Sequence, residues 1–178
     1  MKLKDLGYND NLEKFWFDNN LDSFEIARVI AEHKGRYIVI TEKGELEAEI
    51  TGNLCYTATS REDFPAVGDW VAIMTYNSDF AIIHKILPRF STIKRQAAGK
   101  TGEVQIIAVN IDVAFIVQAI DRDFNINRLE RYLTICNSSK VEPVIVLTKT
   151  DLAEEKRIIE AKESIKPVSY THLRAHET

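Results

Sequence analysis

The chain has 178 residues, of which 45% are hydrophobic and 28% charged, and this composition excludes a wholly disordered or a collagen-like protein. Its 27 acidic and 23 basic residues give a formal net charge of −4, which excludes a protein that binds nucleic acid through an overall positive charge. Two cysteines are too few for a disulfide framework, the amino terminus lacks the apolar core of a secretory signal, and no apolar run is long enough to cross a membrane, so we expect a cytoplasmic protein without a membrane partner.

The first part of the chain has the pattern of a small β-barrel behind a helical extension. Apolar side chains at Leu12, Phe15, Trp16 and Phe17 predict a short helix or cap within residues 1–22. Five runs with strand character follow between residues 23 and 88, with turn residues and no convincing helix between them: FEIARVIAEH, RYIVIT, ELEAEIT, WVAIMTY and FAIIHKIL. This arrangement favours a closed barrel, and we predict that residues 23–88 form one domain.

Positive charge is concentrated where the predicted barrel ends. Residues 80–102 contain five basic side chains and no acidic one, whereas residues 1–64 carry a net charge of −5. We predict a basic linker over residues 89–103, with four candidates for RNA contacts through phosphate: Arg89, Lys94, Arg95 and Lys100. The alternative is a solvated linker without a partner.

The second part of the chain has a different pattern. Three continuous apolar runs occur, of the kind found in strands buried on both faces of a parallel sheet: VQIIAV (104–109), VAFIVQA (113–119) and EPVIVLT (142–148). A helix with Asn125 as its N-cap is predicted between the last two runs, because apolar side chains repeat with helical spacing at Leu129, Tyr132, Leu133 and Cys136. A second helix follows the last strand, so residues 104–167 are predicted to form part of an α/β domain.

One motif in this part, Thr148-Lys149-Thr150-Asp151, suits a specific ligand. It follows a predicted strand and precedes a helix, where open α/β sheets bind ligands. The Asp151 carboxylate can accept hydrogen bonds from both N1–H and N2–H₂ of guanine, a pair of donors that adenine lacks. Lys149 can lay its methylene stem over the purine, and Thr148 can fix the loop. We predict that Thr148, Lys149 and Asp151 bind guanine; the simpler hypothesis is that Asp151 only caps the following helix.

A phosphate-binding loop does not accompany this motif. Gly99-Lys100-Thr101 resembles the end of G-x-x-x-x-G-K-[ST], but Lys94 stands where the first glycine is required, and a strand instead of a helix follows. No other match to this pattern occurs in the 178 residues. In the usual GTPase order the phosphate loop precedes the guanine motif, so either the motif is accidental or the order of the motifs is permuted.

Five stretches together carry a family resemblance: LKDLGYND, VGDWV, ILPRFSTIKRQAAGKTGEVQIIAVNIDVAFIVQA, DFNINRLERYL and PVIVLTKTDL. They resemble the ribosome small subunit-dependent GTPase A family, the circularly permuted GTPases of bacterial 30S subunit maturation. The resemblance implies an N-terminal OB-fold barrel that binds the 30S subunit through 16S rRNA, followed by the first part of a P-loop GTPase domain. It also implies a monomer that hydrolyses GTP by in-line attack of water, with Mg²⁺ as a cofactor and Zn²⁺ in a C-terminal domain. Thr148, Lys149 and Asp151 take the guanine-specificity role.

The sequence also departs from the family pattern. The family's phosphate loop, Mg²⁺-binding segments and zinc ligands do not occur in it, so we predict neither a catalytic residue nor a metal ligand in this chain. Residues 168–178 do not continue the pattern and are interpreted as a non-native tail on a truncated chain. We expect no GTP hydrolysis by the chain alone. The alternative function is a non-catalytic RNA- or ribosome-binding OB module with an α/β scaffold; a general ATPase is disfavoured, because adenine lacks the donors that Asp151 would accept.

Overall fold

The computed structural model describes residues 2–33, 35–96, 104–121 and 124–166. These residues belong to two units, and the division falls between Asn110 and Ile111. Lys100 and the predicted tail at residues 168–178 lie outside the described residues. Within the described ranges, no helix reaches the length and apolar character that crossing a bilayer requires.

The first unit contains the closed five-stranded barrel that the alternating pattern predicts. Its strands are β1 (Glu25–His33), β2 (Arg36–Ile40), β3 (Glu45–Ile50), β4 (Trp70–Thr75) and β5 (Phe80–Ile86). They pair in the order β1-β2-β3-β5-β4, and β4 closes the barrel against β1. Every pair is antiparallel except β3 with β5. This order is that of an OB-type barrel.

Strand β4 is a continuous apolar run because both of its faces are buried. Val71 and Ile73 belong to the cluster inside the barrel. Trp70 and Ala72 belong to a second cluster, which includes Leu12 and Trp16 of helix α1 (Asp10–Asp18). The helix predicted near the amino terminus therefore covers the outer face of this strand. A second short helix, α2 (Gly52–Thr57), connects β3 towards β4.

The segment that leaves the barrel differs from the prediction. Residues 89–103 were expected to be a linker, but they include strand β6 (Thr92–Gln96), which pairs antiparallel with β7 (Val104–Val109) in the first unit. The prediction that β7 joins the parallel sheet is wrong, because β7 pairs with β6 instead. The predicted burial of both its faces is also wrong, since Ile107 is 46% exposed. An apolar run predicts a strand but does not specify which neighbour it pairs with.

A close backbone approach at Gly68 holds the end of β7 against the barrel. An added Cβ at Gly68 would lie 2.0 Å from the carbonyl oxygen of Val109, and the φ of Gly68 is +97°. The Gly68 N–H donates to the Val29 carbonyl at 2.8 Å, and the Gly68 carbonyl accepts from the side-chain amide of Asn110 at 3.1 Å. Asn110 is only 2% exposed. Both the close approach and the positive φ require glycine here.

The second unit begins with two parallel strands in the predicted positions, β8 (Val113–Ala119) and β9 (Glu142–Thr148). Helix α3 (Ile126–Ser138) connects them and packs against both. Its predicted N-cap is confirmed, because the Asn125 side chain accepts the Arg128 N–H at 3.1 Å. Three members of its predicted apolar face are buried, namely Leu129, Leu133 and Cys136, whereas Tyr132 is 41% exposed. Helix α4 (Glu155–Ile165) follows β9.

Strand β8 is buried on one face only, which also differs from the prediction. Ile116 and Gln118 are each 7% exposed, whereas Phe115 and Val117 on the opposite face are 70% and 59% exposed. In the described residues, α3 covers one side of the two strands. The continuous apolar pattern indicates a strand suited to burial on two faces. It does not indicate which element covers the second face.

Replacing Gly68 with alanine is expected to lower the free energy of unfolding of the first unit by more than about 2 kcal/mol, because the added methyl group collides with backbone atoms. The two tryptophans, Trp16 and Trp70, are both buried in this unit, so urea unfolding followed by tryptophan fluorescence reports on it. Gly35→Ala is the matched control, since Gly35 has φ +88° but nothing within 4 Å of an added Cβ. Equal losses in the two variants would contradict the role assigned to Gly68.

Candidate functional site

The predicted guanine motif lies where the chain leaves β9. Thr148 is the last residue of the strand, and its carbonyl accepts the N–H of Ile120 at 2.9 Å, which joins the carboxyl ends of β8 and β9. Lys149 then adopts left-handed backbone angles, φ 58° and ψ 32°. Thr150–Leu152 form a 3₁₀ turn before α4. The left-handed conformation costs a non-glycine residue roughly 1–3 kcal/mol, and such residues cluster at functional sites.

An ion pair connects this turn to the end of the neighbouring strand. The ammonium nitrogen of Lys149 lies 2.6 Å from Oδ2 of Asp121, two residues beyond the end of β8. The side chains of Lys149 and Asp121 are 53% and 34% exposed, so water screens their attraction without abolishing it. The pair fixes the direction of the Lys149 side chain at the carboxyl edge of the two strands.

A cavity of about 440 Å³ opens at this edge. It is lined by Ile120, Asp121, Lys149, Leu152 and Arg157. Its volume lies within the range of small-molecule sites. Two lining residues are aliphatic, two are cationic and the fifth, Asp121, is anionic, so the lining combines apolar surface with charged groups.

The three predicted guanine-binding residues hold different positions around the cavity. Lys149 lines it directly. Thr148 and Asp151 do not line it. The Thr148 carbonyl accepts the Ile120 N–H, and Asp151 is exposed in the 3₁₀ turn, next to Leu152 in the sequence. Asp121 was not among the predicted site residues. The carboxyl ends of neighbouring parallel strands meet at one edge, so the argument that selects the residues after β9 also selects those after β8.

The described residues offer no evident metal site. Within residues 2–33, 35–96, 104–121 and 124–166, no group of three histidine, cysteine, aspartate or glutamate side chains lies together. These described residues therefore give no carboxylate cluster to which Mg²⁺ can be assigned.

Arg89, one of the four predicted RNA contacts, is held inside the first unit by protein partners. Its guanidinium forms a bidentate ion pair with the Asp69 carboxylate, with Nε 2.8 Å from Oδ1 and Nη2 2.6 Å from Oδ2. The same group donates to the carbonyls of Glu62 and Phe64 at 2.8 and 2.9 Å. The side chains of Arg89 and Asp69 are 16% and 0% exposed. Breaking a buried pair of this kind costs about 3–5 kcal/mol.

Lys94 and Arg95, in contrast, are exposed on β6. The Lys94 ammonium lies 2.7 Å from the Glu62 carboxylate, and the Arg95 guanidinium donates to the Gln105 side chain at 3.0 Å. Exposed pairs such as these contribute about 0–1 kcal/mol, so phosphate can replace these partners at little cost. The fourth candidate, Lys100, lies outside the described residues.

A short 3₁₀ turn, Arg61–Asp63, presents Glu62 to Arg89 and Lys94. The Glu62 carbonyl accepts from the Arg89 guanidinium, and the Glu62 carboxylate pairs with the Lys94 ammonium. The Asp63 carboxylate accepts the backbone N–H groups of Thr59 and Ser60, each at 2.9 Å. These hydrogen bonds lower the pKa of Asp63 below its ordinary value. The hydrogen bonds therefore extend the ionised range of Asp63 to lower pH.

Two solved structures have a fold similar to that of this chain. YjeQ from Thermotoga maritima matches with a TM-score of 0.63 and 17% sequence identity, over 85% of this chain and 51% of its own. YloQ, a circularly permuted GTPase, matches with a TM-score of 0.54 and 20% identity, over 81% of this chain and 46% of its own. The fold is thus an OB-like barrel followed by the first part of a circularly permuted GTPase domain.

The chain belongs to the RsgA GTPase family, whose family model matches residues 86–178. The small ribosomal subunit biogenesis GTPase RsgA of Opitutus terrae is 37% identical over 171 residues, which are 91% of this chain and 47% of that relative. RsgA 1 of Oceanobacillus iheyensis is 44% identical over 151 residues, 84% of this chain and 42% of its own length. The family resemblance predicted from the sequence is confirmed. The chain spans about half the length of the curated relatives it matches.

Proposed function

We propose that this chain supplies an RNA-binding first unit and the guanine-binding half of a cytoplasmic GTPase that acts in the biogenesis of the small ribosomal subunit. The observation that carries the proposal is the Thr148–Asp151 turn at the carboxyl edge of β8 and β9, beside a cavity of about 440 Å³. The names of the curated relatives, which are small ribosomal subunit biogenesis GTPases, support the biological role.

In the proposed complex with GTP or GDP, Asp151 and Lys149 have separate tasks. The Asp151 carboxylate accepts N1–H and N2–H₂ of guanine, and the Lys149 stem covers one face of the base. Ile120 and Leu152 supply apolar surface from the cavity wall. Bound Mg²⁺ supplies charge neutralisation at the phosphates, and none of the described residues is assigned to hold it.

Asp151→Asn is expected to weaken GDP binding roughly ten-fold or more and to strengthen the binding of xanthosine diphosphate, because an amide can donate to the O2 of xanthine where guanine has N2–H₂. The measurement is an NMR titration of the chain with each nucleotide at millimolar concentration. Glu155→Gln, which removes an exposed carboxylate from the first turn of α4, is the matched control. An unchanged preference for guanine would support the non-catalytic binding module.

The 178-residue chain is expected to bind GDP more weakly than micromolar and to leave GTP unhydrolysed. Its sequence holds no G-x-x-x-x-G-K-[ST], and contacts to phosphate supply much of the affinity of GTPases for nucleotide. Titration of a fluorescent GDP and a phosphate-release assay test both points. Binding at micromolar concentration or tighter, or release above the buffer rate, would overturn this expectation.

Binding of 16S rRNA is proposed for the antiparallel pair of β6 and β7. Lys94 and Arg95 are exposed there, and Phe90, two residues before β6, is 45% exposed and available to stack on a base. This surface also favours the second candidate function, a monomeric RNA- or ribosome-binding module without catalysis. The two functions share the barrel, and the Asp151→Asn experiment separates them.

Lys94→Glu is expected to weaken binding of 30S subunits or a 16S rRNA fragment and to reduce the slope of log affinity against log salt by about one, the value for one lost phosphate contact. Fluorescence anisotropy across a series of KCl concentrations measures both quantities. Lys14→Glu makes the same charge change at an exposed position of α1. If both variants lose affinity equally, only the net charge matters and the proposed surface is wrong.

A further inference from the structure

We propose that Asp121 is a positioning residue for guanine recognition, acting through Lys149, and this inference rests on the proposed guanine site. Asp121 Oδ2 and Lys149 Nζ are 2.6 Å apart, and both residues line the cavity. No motif in the sequence includes Asp121. Its role follows from the pairing of β8 with β9, which brings the residues after both strands to one edge.

The Lys149 side chain is held at both ends. Its backbone is fixed in the left-handed conformation by the 3₁₀ turn, in which the Leu152 N–H donates to the Lys149 carbonyl at 3.2 Å. Its ammonium is held by Asp121. These two contacts restrain the methylene stem between them before a ligand arrives, and the exposed pair contributes a small part of that restraint. A lysine has four rotatable side-chain bonds, and ordering them in advance removes part of the entropy cost of binding.

The alternative to positioning is a purely electrostatic role for Asp121. Its carboxylate partly neutralises the cationic rim formed by Lys149 and Arg157. In that case, removing Asp121 would strengthen the binding of an anionic nucleotide and would leave an uncharged nucleoside unaffected. A positioning role has the opposite sign and acts on the base, so it affects guanosine and GDP by the same factor.

The test is an NMR titration of the chain with guanosine, adenosine and GDP. Asp121→Ala is expected to weaken guanosine and GDP binding equally, by about three- to five-fold, the range for one partly exposed ion pair. Asp121→Asn keeps the side-chain volume and an oxygen that accepts from Lys149 but removes the charge, so a smaller loss of the same kind is expected. Equal loss of guanosine and GDP affinity in this isosteric variant excludes misfolding as the cause. Asp112→Ala, the same substitution at the amino end of β8, is the matched control and is expected to bind like the unaltered chain.

A double-mutant cycle isolates the path through Lys149. Lys149→Met keeps an unbranched apolar side chain but removes the ammonium, so adding Asp121→Ala is expected to cause no further loss. If the unaltered chain does not prefer guanosine to adenosine, the proposed guanine site itself is wrong. If the chain does prefer guanosine, any of three results would overturn the role of Asp121. They are guanosine binding by Asp121→Ala as tight as that of the unaltered chain, a gain in affinity confined to GDP, and additive losses in the double-mutant cycle.

Discussion

Two parallel strands cannot be joined by a tight turn, and this constraint decides the layout of the second unit. The chain must cross from the end of β8 back to the start of β9, and α3 makes this connection. Both strands consequently end at the same edge. Residues that are separated by 28 positions in the sequence, Asp121 and Lys149, therefore form an ion pair. The cavity, the left-handed turn and the proposed guanine contacts all depend on this shared edge.

In the first unit, the number of basic residues in a segment does not indicate which of them are buried in ion pairs and which are exposed. The basic segment contains Arg89 and Lys94, only five positions apart, but the two side chains have opposite roles. Arg89 points into the unit, where the Asp69 carboxylate and two carbonyls satisfy it. Lys94 lies on an exposed strand and pairs with Glu62 at the surface. Desolvation makes the first arrangement obligatory for stability and leaves the second exchangeable.

Local patterns in the sequence predicted the elements whose burial depends on near neighbours. The five barrel strands, the Asn125 cap and the Thr148 turn follow from alternation, capping chemistry and the position of a motif after a strand. The sequence did not predict the partner of β7, the open face of β8 at Phe115, or the pair between Asp121 and Lys149. Each of these depends on a tertiary neighbour that hydrophobic periodicity does not encode.

The position of the barrel in the chain also affects the order of events during synthesis. All five of its strands lie between Glu25 and Ile86, so every pairing that closes it is complete within that span. Chains leave the ribosome amino terminus first, and domains fold as units as they emerge. The barrel can therefore close before Lys149 has been polymerised. The β6–β7 pair proposed to bind rRNA also ends before Lys149, at Val109, so it can form earlier than the pocket proposed to bind the nucleotide. A nascent chain therefore passes through a stage in which only the first is present.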